Sequence, residues 1–238
     1  MAGRHHVRGD EHHRDVQGGW SRAAVFGISD GLVTNVSLIL GMAGAHPGGS
    51  VVRLTGLAGL VAGAFSMAAG EYVSMRAQQE LLQRELDVER QAIRTSPEAE
   101  QRELTAIYER RGVDPSVARE LAGEMMRDPD VALQTHAREE LGINPSQLGA
   151  PFQAAASSFV TFALGAFLPL LPWLFASGTA AIVASVVIAG TAALAVGIVI
   201  GMLTGRPLWK AGLRQLLLAA VAASVTYAIG RGVGVAAH

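Results

Sequence analysis

The sequence predicts an all-α membrane protein: five transmembrane helices, with a helical domain inserted between spans 2 and 3. Three observations carry that prediction. Half of the 238 residues are hydrophobic and only 16% are charged, and from Leu141 to Gly205 there is no Asp, Glu, Lys or Arg. A water-soluble domain of that size would hardly tolerate such a stretch. Five segments are apolar over roughly the 20 residues needed to cross a bilayer core as a helix. One of them, VVRLTGLAGLVAGAFSMAAGEYVSM, runs directly into RAQQELLQRELDVERQAIR, which has no Gly or Pro and is rich in good helix formers. A single rod is therefore expected to leave the membrane and continue into water.

In chain order, residues 1–22 are expected to form a flexible tail, since MAGRHHVRGDEHHRD is polar without an apolar core and is not a signal peptide. Its pairs His5, His6 and His12, His13 could capture metal weakly, but a disordered tail is the better reading. Residues 23–75 hold the first two spans, Ala23 to Ala45 and Val51 to Met75. The rod continues to about Arg94, with Leu81, Leu82, Leu86 and Ile93 at roughly helical spacing among charges.

Residues 76–150 form the inserted domain. Ser96-Pro97 can start a helix to about Arg111, closed by Gly112. Asp114-Pro115 can start the next, through Met126, and Asp128-Pro129 a third to Leu141, followed by Gly142. A side-chain acceptor before Pro at the first helical position, with Gly past the end, is the expected asymmetry of helix termini. Residues 151–238 supply spans 3 to 5, at Phe152 to Phe175, Thr179 to Leu203 and Leu208 to Ile229.

The flanks orient the spans. Arg14, Arg22, the arginines after span 2, and Arg206, Lys210 and Arg214 before span 5 would share one side, with only Arg53 and Arg231 opposite. The positive-inside rule makes the N-terminus and the inserted domain cytoplasmic. Rows of small residues, Gly27 and Gly31, Gly59 and Gly63, and Gly197, Gly201 and Gly205, allow close helix approach within a protomer or across a dimer.

Chemistry is constrained by the absence of cysteine, which leaves carboxylate, imidazole, thioether or water for any metal site. Asp30, in FGISDGL, lies near the cytoplasmic end of span 1, with Gly27, Gly31 and Thr34 on its face. An acid inside a bilayer is costly unless paired, protonated or bound to a cation, so it is a functional candidate. Glu71 is the matching acid on span 2, and Met67 lies one turn before it. Sulfur beside carboxylates suits Fe(II) or Mn(II) better than Mg(II), although a lone Met on a membrane helix is usually packing. In the inserted domain, Glu100 and Glu103 share a helix face, His136, Glu139 and Glu140 crowd another, and Glu89 on the rod could close the cluster. Carboxylates and an imidazole on facing helices are how bundles hold transition metals, but charges on a helix face are more often merely solvated. Met125 and Met126 read as core or dimer contacts.

FGISDGLVTNVSLILGMAGA, then GLAGLVAGAFSMAAGEYVS, an acidic insert ending in HAREELGI, and three closing spans together resemble the vacuolar iron transporter family in its bacterial form, over about Arg14 to Ile229. The resemblance implies a homodimer in the cell membrane with a cytoplasmic metal-binding domain. It would export Fe2+, and Mn2+ as well, in exchange for protons. Metal is then cargo and bound ion, with no prosthetic group, no enzymatic activity and no nucleic-acid partner. The family's membrane aspartate and methionine fall on Asp30 and Met67, and its soluble glutamates on Glu89, Glu100, Glu103 and Glu140. Ala92 stands where eukaryotic members have a further rod glutamate. His136 and Ala137 replace a methionine pair, so imidazole is expected to take the place of sulfur. Gly59 replaces an acid early in span 2, a role that Glu71 is expected to assume. The rival reading is a membrane-anchored, ferritin-like metal buffer, although His136 lacks the glutamate three residues earlier that di-iron bundles use.

Overall fold

In a computed structural model of the chain, residues 19–46, 48–142, 144–145 and 149–236 are described. The tail histidines His5, His6, His12 and His13, and Arg14, lie outside the described residues. Eight helices follow in order among the described residues: α1 Gly19–Gly44, α2 Gly49–Thr95, α3 Pro97–Arg110, α4 Pro115–Met125, α5 Pro129–Glu139, α6 Pro151–Phe175, α7 Gly178–Thr204 and α8 Leu208–Ala236. Five of them, α1, α2, α6, α7 and α8, are long and apolar enough to cross a membrane, matching the five expected spans.

α1 packs against α6, α8, α2 and α7. The sequence explains why it can be so enclosed. A Cβ on Gly27 would collide with Thr161 and Ser158, and one on Gly31 with the backbone of Phe162, so only glycine lets α1 and α6 meet backbone to backbone. This glycine row is therefore used within the protomer. Asn35 Nδ2 seals the same contact, donating to the Ala166 carbonyl at 2.6 Å. Leu32, Val36 and Leu40 of α1 then close a core with Ala189, Ala193 and Ala219 of α7 and α8. The outward faces carry Val183, Val187, Leu217 and Val221 exposed, as lipid contact requires.

α2 is a single helix of 47 residues. At ~1.5 Å per residue it is about 70 Å long, more than twice a bilayer core of ~30 Å. Its far end is buried by α5: Leu86 and Ile93 form a small core with Ala132, Leu133 and Ala137, and Met126 packs on it. Leu81, also expected on the apolar face, is exposed.

The helix punctuation is largely as expected. The Asp114 carboxylate accepts from Ser116 N at 2.9 Å, and the Asp128 carboxylate from Asp130 N at 2.8 Å. Gly112 and Gly142 take positive φ after α3 and α5, where a side chain would be strained. Ser96 departs from expectation, since its side chain makes no capping hydrogen bond. It ends α2 and starts α3 at once; its N–H still donates to Ala92 while its carbonyl already accepts from Ala99 and Glu100, so the junction is held by backbone alone.

Candidate metal centre and intramembrane acids

The strongest constellation lies on the part of α2 that projects beyond the span. Leu86, Glu89 and Ile93 recur at i, i+3 and i+7, so the stripe that buries two apolar residues also buries an acid. On α5, Leu133, His136 and Ala137 do the same for an imidazole. Glu100 stands one turn into α3, just past the Ser96 junction. Glu89, Glu100 and His136 each offer a ligand atom, and the three atoms lie within 4.8 Å of one another. His136 Nδ1 is 3.1 Å from Glu89 Oε1, 3.7 Å from Glu140 Oε2 and 3.9 Å from Glu100 Oε2.

Packing and electrostatics both leave this cluster unsatisfied. His136 is 0% exposed, and neither of its ring nitrogens has a hydrogen-bond partner. Glu89 Oε1 is orphaned as well, although His136 Nδ1 lies 3.1 Å away. Leaving a buried polar atom unpaired costs ~1–3 kcal/mol, and here Glu89 Oε1 and His136 Nδ1 face each other unpaired. Burial, reinforced by the charges of Glu140, Glu100 and Glu103, pushes the Glu89 carboxyl up to about 7. Burial also raises Glu100, against the pull of His136 and with the push of Glu103 and Glu140. A divalent cation would relieve both defects, because it coordinates Glu89 Oε1 and one imidazole nitrogen and neutralises the crowded acids. One nitrogen and several carboxylate oxygens suit first-row ions such as Fe(II), Mn(II) or Zn(II).

The remaining expected ligands divide. The Glu140 side chain is 33% exposed at the rim and can close over the site. Glu103 is exposed and acts on the cluster through its charge. Glu139, read with His136 and Glu140 as one crowd, forms an ion pair with Arg111, whose guanidinium also donates to the Glu139 carbonyl at 3.4 Å. Tyr108 lies beside this clasp and is raised by burial and by Glu139. Arg111 carried no signal in the sequence beyond preceding Gly112.

The intramembrane candidates each have neighbours of their own. Asp30 is half-buried on α1 and accepts from Thr34 Oγ1 at 3.3 Å, the neighbour expected on its face. Met67 packs against Ala64, Phe162 and Ala166. Glu71 is paired with Arg22 of α1 at 2.9 Å. Among the described residues no hydrogen bond or ion pair joins Asp30, Met67 and Glu71. Asn35 was passed over in the sequence, yet it is fully buried, with Oδ1 unpaired and lying where a Gly59 side chain would go. A lone amide amid an apolar span was the available signal.

The fold and the cluster define a class: helical membrane proteins in which one continuous helix connects the spans to a carboxylate–imidazole site of cation-binding character. The chain belongs to the VIT family, which it matches over residues 21–231. A vacuolar iron transporter of Acanthamoeba castellanii is 40% identical over 163 residues, covering 68% of this chain and 59% of that relative. One from Centaurea cyanus is 30% identical over 230 residues, covering 96% of this chain and 90% of the relative. Vacuolar iron transporter 1 of Arabidopsis thaliana is 29% identical over 211 residues, covering 88% and 84%. This chain thus matches less than two thirds of the Acanthamoeba protein's length but most of the two plant proteins. Family and apolar helices together make it a multi-pass membrane protein whose relatives are named as transporters.

Proposed function

We propose that the protein exports Fe2+, and Mn2+ with it, from the cytoplasm across a bacterial inner membrane in exchange for protons. The observation that carries this reading is the unsatisfied Glu89, Glu100 and His136 cluster at the end of a rod shared with span 2, in a chain whose relatives are named iron transporters. The basic flanks Arg22, Arg206, Lys210 and Arg214 support a cytoplasmic cluster.

In this mechanism Glu89, Glu100, His136 and Glu140 collect the ion, with Glu103 adding negative potential. The ion then passes to Asp30, Met67 and Glu71, on a path lined by spans 1 and 2 of each protomer in a homodimer. Carboxylates bind metal only when deprotonated, so loading expels protons and reprotonation from outside releases the ion. Antiport follows from the ligand type.

The test is Fe(II) and Mn(II) uptake into proteoliposomes carrying a pH gradient, with wild type, Asp30→Ala and Glu100→Ala at equal incorporation. Metal movement with proton counterflow that is lost in Asp30→Ala supports the reading. A wild type that binds metal at the Glu100 cluster but moves none would replace it with the anchored metal buffer.

A further inference from the structure

The Arg22–Glu71 pair lies between the two helices assigned above to the path, and its two halves are held very differently. The Glu71 side chain is 15% exposed and that of Arg22 is 69% exposed. The acid is largely screened from solvent, while the guanidinium reaches it on an exposed arm. Arg22, Phe26 and Asp30 recur at i, i+4 and i+8, so the arginine begins the row that leads down α1 to the deeper acid. Met67 lies one turn from Glu71 on α2.

We infer that Arg22 is a threshold-setting residue: a tethered cation that occupies Glu71 and must be displaced by each metal ion that uses this acid. The inference rests on the transport reading. Arginine does not lose its proton in a protein, so Glu71 is freed only when the arm swings away. Tethering keeps the guanidinium at a high effective concentration, against which every dissolved cation competes. An ion that offers Glu71 charge alone, such as Mg(II), gains little over the guanidinium. A first-row transition ion that can also take the Met67 thioether gains more and wins the exchange. Arg22 therefore raises the concentration threshold by the same factor for all cations, and an ion that also takes the Met67 thioether clears it at the lower concentration. When no metal is present, the same pairing keeps a buried carboxylate neutralised.

The full-length protein tests this in proteoliposomes, by Mn(II) uptake with Mg(II) as competitor. Arg22→Gln should lower the KM for Mn(II) by up to about fivefold, the factor for a partly exposed ion pair of ~1 kcal/mol, with kcat little changed. Mg(II) should then inhibit at lower concentration, while Arg22→Lys, which keeps the cation, should stay near wild type. An Arg22→Gln protein with wild-type KM and wild-type Mg(II) inhibition would show that the arginine only anchors α1 at the interface, and the inference would fall. If Arg22→Gln does not fold, Arg22→Met, which keeps the aliphatic arm without the charge, decides. A lowered KM for Mn(II) supports the exchange, and a wild-type KM from the folded protein overturns it. A wild type that moves no Mn(II) overturns the transport reading itself, so the two failures are told apart by the control.

Discussion

The acids of the projecting rod and the acids of the spans are held in opposite ways. Glu89 is buried against an imidazole that does not hydrogen-bond it, with Glu100 and Glu140 alongside, so like charges accumulate around orphaned atoms. Asp30 and Glu71 are each quieted by a partner, a threonine hydroxyl one turn away and an arginine from the neighbouring helix. The difference follows from solvent. Beside water, a strained acidic cluster can borrow protons and await a metal. In hydrocarbon, every unpaired charge costs several kcal/mol, so each acid is matched locally. One region leaves acids crowded and polar atoms unpaired, and the other gives each acid a partner.

Substitutions that separate the two regions should have graded effects. Asp30→Ala should have the greatest, reducing metal uptake to background while metal binding at the Glu89 cluster, measured by titration calorimetry, stays intact. Loss of both would dissolve the distinction between the regions. His136→Ala should weaken binding at the cluster by at least about tenfold, since even outer-shell losses at metal sites reach that size. Unchanged affinity would move the site elsewhere.

A third prediction concerns pH. The Glu89 carboxyl lies at about 7 in the fold against an ordinary glutamate value of 4.5, so the native chain keeps a proton that the unfolded chain releases in that window. Metal-free protein should lose stability as pH rises from about 4.5 to about 7 and level off above, by the linkage of proton uptake to folding. Glu89→Gln should flatten that slope in thermal unfolding. Metal affinity should change in the opposite sense, falling by up to about tenfold per pH unit below 7 if Glu89 alone must give up its proton. The weakest effect is expected from Arg111→Ala, which releases Glu139 and loosens α5 against α3. A change of about twofold to fivefold in metal affinity, in line with an exposed pair of ~0.5–1 kcal/mol, would show that the clasp positions His136.

Local sequence was enough to place each described helix, although α1 already begins at Gly19, inside the stretch expected to be a flexible tail to residue 22, and α8 runs past Ile229 to Ala236. Runs of apolar residues set the span lengths, and Asp114-Pro115, Asp128-Pro129, Gly112 and Gly142 set the turns, because a cap or a positive φ is decided within a few residues. It also nominated Glu89, Glu100, His136 and Glu140. Packing between helices then selected which of the nominees meet. Glu103 and Glu139 looked equivalent to their neighbours in spacing, yet one faces water and the other is taken by Arg111. Glu71 looked like a free acid until α1 brought Arg22 to it, 49 residues away in sequence. Helix formation is local, but a contact between helices depends on how their faces are rotated and shifted against each other. At ~100° per residue, one position along a helix is enough to turn a ligand into a surface charge.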